Sequence, residues 1–254
     1  MDLRSIAGHA LPPVRGVGCA SFTVAMVAGA ELHMRAAPSR SPAVYDRWLR
    51  AWARGVLRIF GVRLTLEGTA PPPARGARLV VCNHRSPVDI LVLLSLFGGR
   101  ILSRADLARW PIVGAAARQA GTIFVDRESE ASGARAIRTV RRHLAAGSTI
   151  SVFPEGATYP GDEVRAFRPG AFLPLRGLDV ELFPVGLAYP PGTEFWQESF
   201  VKHVSRVATQ PATQIVVCCG AGWVPEGGAR KLAEEAQAEV QALTERARRR
   251  FDAL

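Results

Sequence analysis

From residue 62 onward the chain breaks into short apolar runs of strand length, separated by amphipathic stretches of helix length. Val62, Leu64 and Leu66 alternate with Arg63, Thr65 and Glu67, the period of two shown by a half-buried strand, and the prolines from Pro71 to Pro73 close the run. Runs rich in β-branched and other apolar residues recur at 79–82, 100–103, 122–125, 149–153, 180–185 and 214–219. Helical stretches fall between most of them, notably at 88–97, 128–146 and 228–250. Strands alternating with helices predict an α/β fold: a single domain over 61–254 with a largely parallel mixed sheet flanked by helices.

The first sixty residues follow different patterns. Residues 1–40 read as irregular, punctuated by Pro12, Pro13 and Pro38. The uncharged run 16–30 is the nearest approach to a spanning segment, but it is short and rich in Gly, Ala, Ser and Thr. A spanning helix needs about 20 apolar residues, so this run predicts a shallow anchor rather than a crossing. Ser41 and Pro42 then open a helix to about Phe60, as N-cap and first helical residue. Val44, Trp48, Trp52, Val56 and Phe60 recur every four residues, and Arg47, Arg50, Arg54 and Arg58 hold another face. Such a helix either lies in a membrane interface or packs its stripe on the core; the segment 1–60 is expected to associate with a membrane through it.

Composition narrows the function. The net charge of +10 comes almost wholly from arginine, with Lys202 and Lys231 the only lysines, and it predicts polyanionic partners. Residues 1–60 hold eight arginines against three acids beside Trp48 and Trp52, which points to an anionic membrane surface rather than nucleic acid. Four cysteines without a CxxC pair indicate neither a zinc site nor a disulfide framework, so no metal is expected. No Gly-x-Ser-x-Gly, Walker or Gly-x-Gly-x-x-Gly motif is present, which argues against serine-hydrolase, nucleotide-driven and NAD chemistry.

The candidate chemistry sits where strands end. Val80, Val81 and Cys82 lead into Asn83, His84, Arg85, Ser86 and Pro87, and Ser86-Pro87 announces a helix. His84 therefore lies on a strand-to-helix turn, and Asp89 lies in the first helical turn, able to point back at the imidazole. A histidine held by a carboxylate is a competent general base; the plainer reading is that Ser86 and Asp89 form a capping pair. A second strand ends in Phe153, Pro154, Glu155 and Gly156, and a third, opened by Gly121, ends in Arg127. Three strand ends thus bring a His–Asp pair, a cation and a glutamate to one rim.

These stretches, in this order, resemble the 1-acylglycerol-3-phosphate acyltransferases of the glycerolipid acyltransferase superfamily. Asn83, His84 and Asp89 match its Asn-His-x-x-x-x-Asp motif; Gly121, Phe124 and Arg127 match its second; Phe153 to Gly156 match its Phe-Pro-Glu-Gly. Phe167 to Phe172 and Leu182 to Leu187 resemble two later elements. The resemblance implies that 61–254 is an acyltransferase domain with His84 as general base and Asp89 as its partner. It also implies an acceptor site drawn from Asn83, Arg127, Phe153, Pro154, Glu155, Gly156, Arg165 and Arg168. A lysolipid, acyl-CoA or acyl-ACP, and an anionic membrane are the expected partners, with no cofactor and no nucleic acid. The expected location is the cytoplasmic face of the inner (plasma) membrane. The acceptor implied is 1-acyl-sn-glycerol-3-phosphate. One departure bears on this: Ala157, Thr158 and Tyr159 stand where the family has Thr-Arg-Ser. Another lysolipid, such as lyso-ornithine lipid, is the alternative acceptor, and a thioesterase or lysophospholipase is the alternative reaction.

Overall fold

The structure, a computed structural model, describes residues 3–36, 42–105, 108, 121–126 and 129–254. It opens with two helices, α1 (Leu3–Ala36) and α2 (Pro42–Ile59). Then follow β1 (Val62–Glu67), β2 (Ala77–Cys82), α3 (Val88–Phe97), β3 (Arg100–Arg104), β4 (Ile123–Val125), α4 (Glu130–Ala145) and β5 (Thr149–Val152). The chain ends with β6 (Val180–Ala188), α5 (Phe200–Thr209), β7 (Thr213–Cys219) and α6 (Ala229–Asp252).

The seven strands form one sheet in the order β1-β7-β6-β2-β5-β3-β4. All neighbours are parallel except β6 and β7. The predicted mixed, mostly parallel sheet is therefore present. The central strand β2 is buried along its whole length, as a strand covered on both faces must be. Val80 and Cys82 face one core with Val92, Leu93 and Phe97 of α3, while Leu79 and Val81 face another with Val140 of α4 and Val240 of α6.

The N-terminal region corrects one expectation. Residues 3–36 are one helix rather than irregular chain, with Pro12 and Pro13 inside it. Its 26-residue stretch Leu11–Ala36 is, by length and composition, long and apolar enough to cross a membrane. The prolines misled because they fall in the helix's first third and leave 14–36 free of them. Small residues let α1 and α2 approach closely. A Cβ on Gly55 would fall 2.2 Å from the Phe22 ring, and one on Gly29 2.9 Å from Trp48.

Helix α2 packs on a core cluster through a face that takes in only Trp52 and Phe60 of the expected stripe. Leu49, Ala53 and Leu57 share a hydrophobic cluster with Val80 and Phe183. Arg50 donates to the carbonyls of Leu96 and Phe97 and Arg54 to that of Ser95, satisfying the free C-terminal end of α3. Ser41 lies outside the described residues.

Candidate active site

Three neighbouring parallel strands, β6, β2 and β5, end on the same edge of the sheet. Their next residues are Tyr189, the Asn83–Ser86 turn and Phe153–Gly156, so the topology alone gathers these side chains at one place. His84 Nδ1 lies 2.8 Å from Asp89 Oδ2. The same carboxylate oxygen accepts the backbone N–H groups of Arg85 at 2.6 Å and Ser86 at 2.9 Å. Its other oxygen accepts the Tyr189 hydroxyl. Asp89 is thus both the capping partner of Ser86 and the anchor of His84; the two sequence readings hold together. The buried carboxylate accepts three other donors and can only accept from His84 as well, which assigns the imidazole proton to Nδ1 and leaves Nε2 unprotonated.

The imidazole is clamped from its face as well. Phe153 stacks on it at 4.0 Å between centroids with 13° between planes. The His84 side chain keeps 17% of its surface exposed, so it is held in one orientation yet open to a substrate.

Glu155 serves this turn from below. Its side chain has no exposed surface and pairs with Arg85 Nη1 at 3.1 Å. It also accepts the backbone N–H groups of His84 at 3.0 Å and Arg165 at 3.4 Å. Burial raises the Glu155 carboxyl above its ordinary value, and the Arg85 guanidinium opposes that shift. Arg85, itself 1% exposed, spreads its remaining donors over the carbonyls of His84, Gly161 and Glu163. This buried pair ties the 156–165 loop to the His84 turn, and Tyr159 N–H donates to the His84 carbonyl from the same loop.

The remaining expected site residues fall into three groups. Asn83 is fully buried, and its amide makes two bonds to the backbone of Leu187, at 2.9 and 2.8 Å. It joins β2 to β6 and has no surface for a substrate. Pro154 accepts the Arg168 N–H at 2.9 Å, and Gly156, at φ 85°, brings its backbone beneath the Arg168 side chain. Arg165 and Arg168 are exposed at the rim, with the Arg165 guanidinium 5.7 Å from the Tyr159 ring. Arg127 lies outside the described residues; its strand β4 ends at Val125, on the far edge of the sheet from β1.

The residues that were missed are Tyr189, Arg85 and His203. Tyr189 follows β6 directly, and that strand-end position was its signal. Arg85 gave no signal within its motif beyond being a cation beside the histidine. The Tyr189 phenol is held protonated: burial raises its pKa well above the ordinary value, and the Asp89 carboxylate adds to the effect.

Beside the turn lies a cavity of about 240 Å³ between α1, α2, α3 and α5. Its walls include Trp52, Pro87, Val88, Leu91, Ile101 and Val207, so it presents hydrocarbon within three residues of His84.

Comparison with known proteins fits this geometry. Residues 63–188 match the Acyltransferase family model. A lyso-ornithine lipid O-acyltransferase of Rhizobium meliloti is 33% identical over 127 residues, covering 50% of this chain and 43% of that one. A 1-acyl-sn-glycerol-3-phosphate acyltransferase of Neisseria meningitidis is 27% identical over 157 residues, covering 62% and 61%. The match therefore spans between about two fifths and three fifths of these curated relatives. The crystal structure of the 1-acyl-sn-glycerophosphate acyltransferase PlsC from Thermotoga maritima has the same fold. Its TM-score is 0.70 at 20% identity, over 95% of this chain and 99% of that one. Residues 63–188 thus carry the match to the acyltransferase family, and the chain shares the fold of PlsC.

Proposed function

We propose that the protein is an O-acyltransferase that moves a fatty acyl chain from acyl-CoA or acyl-ACP to the free hydroxyl of a lysophospholipid. The acceptor in this reading is 1-acyl-sn-glycerol-3-phosphate and the product is phosphatidic acid. The observation that carries it is the partly exposed His84, held at Nδ1 by a buried carboxylate and set beside a hydrocarbon-lined cavity. His84 Nε2 takes the proton of the acceptor hydroxyl as that oxygen attacks the thioester carbonyl. The C–O bond forms, the C–S bond breaks, and the proton passes from Nε2 to the departing thiolate. Asp89 stabilises the imidazolium between these steps, with Tyr189 holding the carboxylate in place. The acyl chain lies in the cavity, and Arg127, Arg165 and Arg168 meet the acceptor's anionic head group. The chemistry requires no cofactor.

A second acceptor, lyso-ornithine lipid, is favoured by Thr158 in the family's arginine position and by the Rhizobium meliloti relative. Val14, Val17, Val24 and Leu32 stand exposed on α1 and support a membrane setting, at the cytoplasmic face of the inner membrane in this reading. The test is purified protein with labelled acyl-CoA or acyl-ACP and a panel of lysolipids, with products separated by head group. Transfer to one head group that disappears in His84→Ala is the expected result. Release of free fatty acid alone would instead make the protein a thioesterase, and unchanged transfer by His84→Ala would remove His84 from the chemistry.

A further inference from the structure

Behind the catalytic turn lies a second histidine–carboxylate pair for which acyl transfer has no direct use. His203, on α5, is fully buried. Its Nδ1 is 2.8 Å from Glu198 Oε1 and its Nε2 is 2.8 Å from Ser86 Oγ. Glu198 in turn accepts from Arg206 Nη2, a guanidinium that also donates to the carbonyls of Gly192 and Glu194.

The hydrogen directions follow from these partners. The Arg206 bond holds Glu198 below the usual carboxylate range, so Glu198 is an anion and can only accept. Nδ1 also lies 3.1 Å from Arg206 Nη2, but the nearer carboxylate oxygen at 2.8 Å can only accept, which assigns Nδ1 a proton. Burial lowers the His203 pKa, so the ring is neutral and Nε2 is bare. Ser86 must then donate its single hydroxyl proton to His203, while its oxygen accepts the Val88 N–H at 3.1 Å. Thus committed, Ser86 cannot donate to Tyr189 or Asp89, and Tyr189 is left to donate to Asp89.

We propose that His203, oriented by Glu198 and Arg206, is a positioning residue for the transfer reaction: by accepting from Ser86 it fixes the turn that carries His84 and Asp89. The same ring lines the apolar cavity beside Phe200 and Val204, so one hydrogen bond couples the chain-binding wall to the base. Ser–His–Glu is also the order of a serine nucleophile and its base. Ser86, however, has no exposed surface, and the cavity wall runs through Pro87 and Val88 rather than through it. Its role is that of a strut.

The kinetic part of this inference rests on the acyl-transfer reading; the hydrogen-bond part does not. With labelled histidine nitrogens in the full-length protein, His203 should show a protonated Nδ1 and a bare Nε2. Ser86→Ala should shift the Nε2 resonance. His203→Leu, which removes the acceptor, should lower kcat about tenfold and leave the KM of thioester and lysolipid within twofold. His203→Gln, whose amide oxygen can still accept from Ser86, should recover most of that loss. The double variant Ser86→Ala/His203→Leu should be no slower than Ser86→Ala alone, since the two act through one bond. A protonated Nε2, additive losses, unchanged kcat in a folded His203→Leu, or labelling of Ser86 by a fluorophosphonate would each overturn the proposal. Should the parent transfer acyl groups to no lysolipid, the acyl-transfer reading fails. The His84 ring resonances then decide: they move in His203→Leu if His203 positions the turn and stay fixed if it does not.

Discussion

His84–Asp89 and His203–Glu198 are the same kind of pair, each with Nδ1 2.8 Å from a carboxylate oxygen, and Ser86 links the second to the turn that carries the first. They differ in what the second ring nitrogen meets. The His84 side chain is 17% exposed, while that of His203 is 1% exposed with Nε2 taken by Ser86. The comparison teaches that access, rather than the carboxylate partner, is what separates the two histidines. Both rings sit against a carboxylate, and in the proposed reaction only the exposed one has room to exchange a proton with a substrate.

Substitution at the exposed member should have the largest effect. His84→Ala is expected to lower turnover roughly 10²–10⁴-fold, as loss of a general base does, with a thermal transition close to the parent's. If its loss were no greater than the tenfold expected of His203→Leu, the two pairs would not differ in kind.

Next comes the buried ion pair under the exposed histidine. Arg85→Ala leaves the Glu155 charge buried without its partner, which typically costs about 3–5 kcal/mol. Urea denaturation measures it, and Arg85→Met with Glu155→Gln should recover much of the loss because no uncompensated charge remains. A similar loss in both single and double variants would mean that the pair matters by shape rather than by charge.

Tyr189→Phe should cost less. It deletes one hydrogen bond to a charged group, about 1.5–3 kcal/mol, and frees one Asp89 oxygen without touching His84 directly. Denaturation of the variant should show that loss, and a stability equal to the parent's would place Tyr189 outside the clamp.

The smallest effect sharpens the buried member. His203 has its folded pKa below the ordinary value of 6.5, so as pH falls the unfolded chain takes the proton first. Its contribution to stability is complete above about 6.5 and declines as the pH drops below that value towards the folded pKa. Melting temperatures between pH 7.5 and 5.5 should therefore fall more steeply for the parent than for His203→Gln. Equal slopes would mean that His203 titrates as freely as in the unfolded chain. His143 is also shifted down by burial, but it is present in both proteins and cancels in the difference.

How far the sequence could be read depended on whether the cause was local. All seven strands were legible, because alternation and β-rich runs record burial residue by residue, and so were α3, α4 and α6. The His84–Asp89 pair was legible for the same reason: a strand exit followed by one helical turn fixes both ends of that contact within six residues. Glu155 was legible as a strand-end carboxylate but its partner was not. The sheet places β5 next to β2 and so sets Glu155 beside Arg85, a neighbour that sequence order does not reveal. His203 had no local signal at all; its contact with Ser86 spans 117 residues, and α5 is a short helix that the apolar pattern did not mark. Helix α1 was hidden by its prolines, and by the fact that Gly29 and Gly55 have meaning only when Trp48 and Phe22 are seen against them.

Arg15, midway along α1, donates to the carbonyls of Ala208, Gln210 and Pro211 at the C-terminal end of α5. Those three bonds join α1 to the helix that carries His203, so α1 cannot shift at Arg15 without disturbing the end of α5.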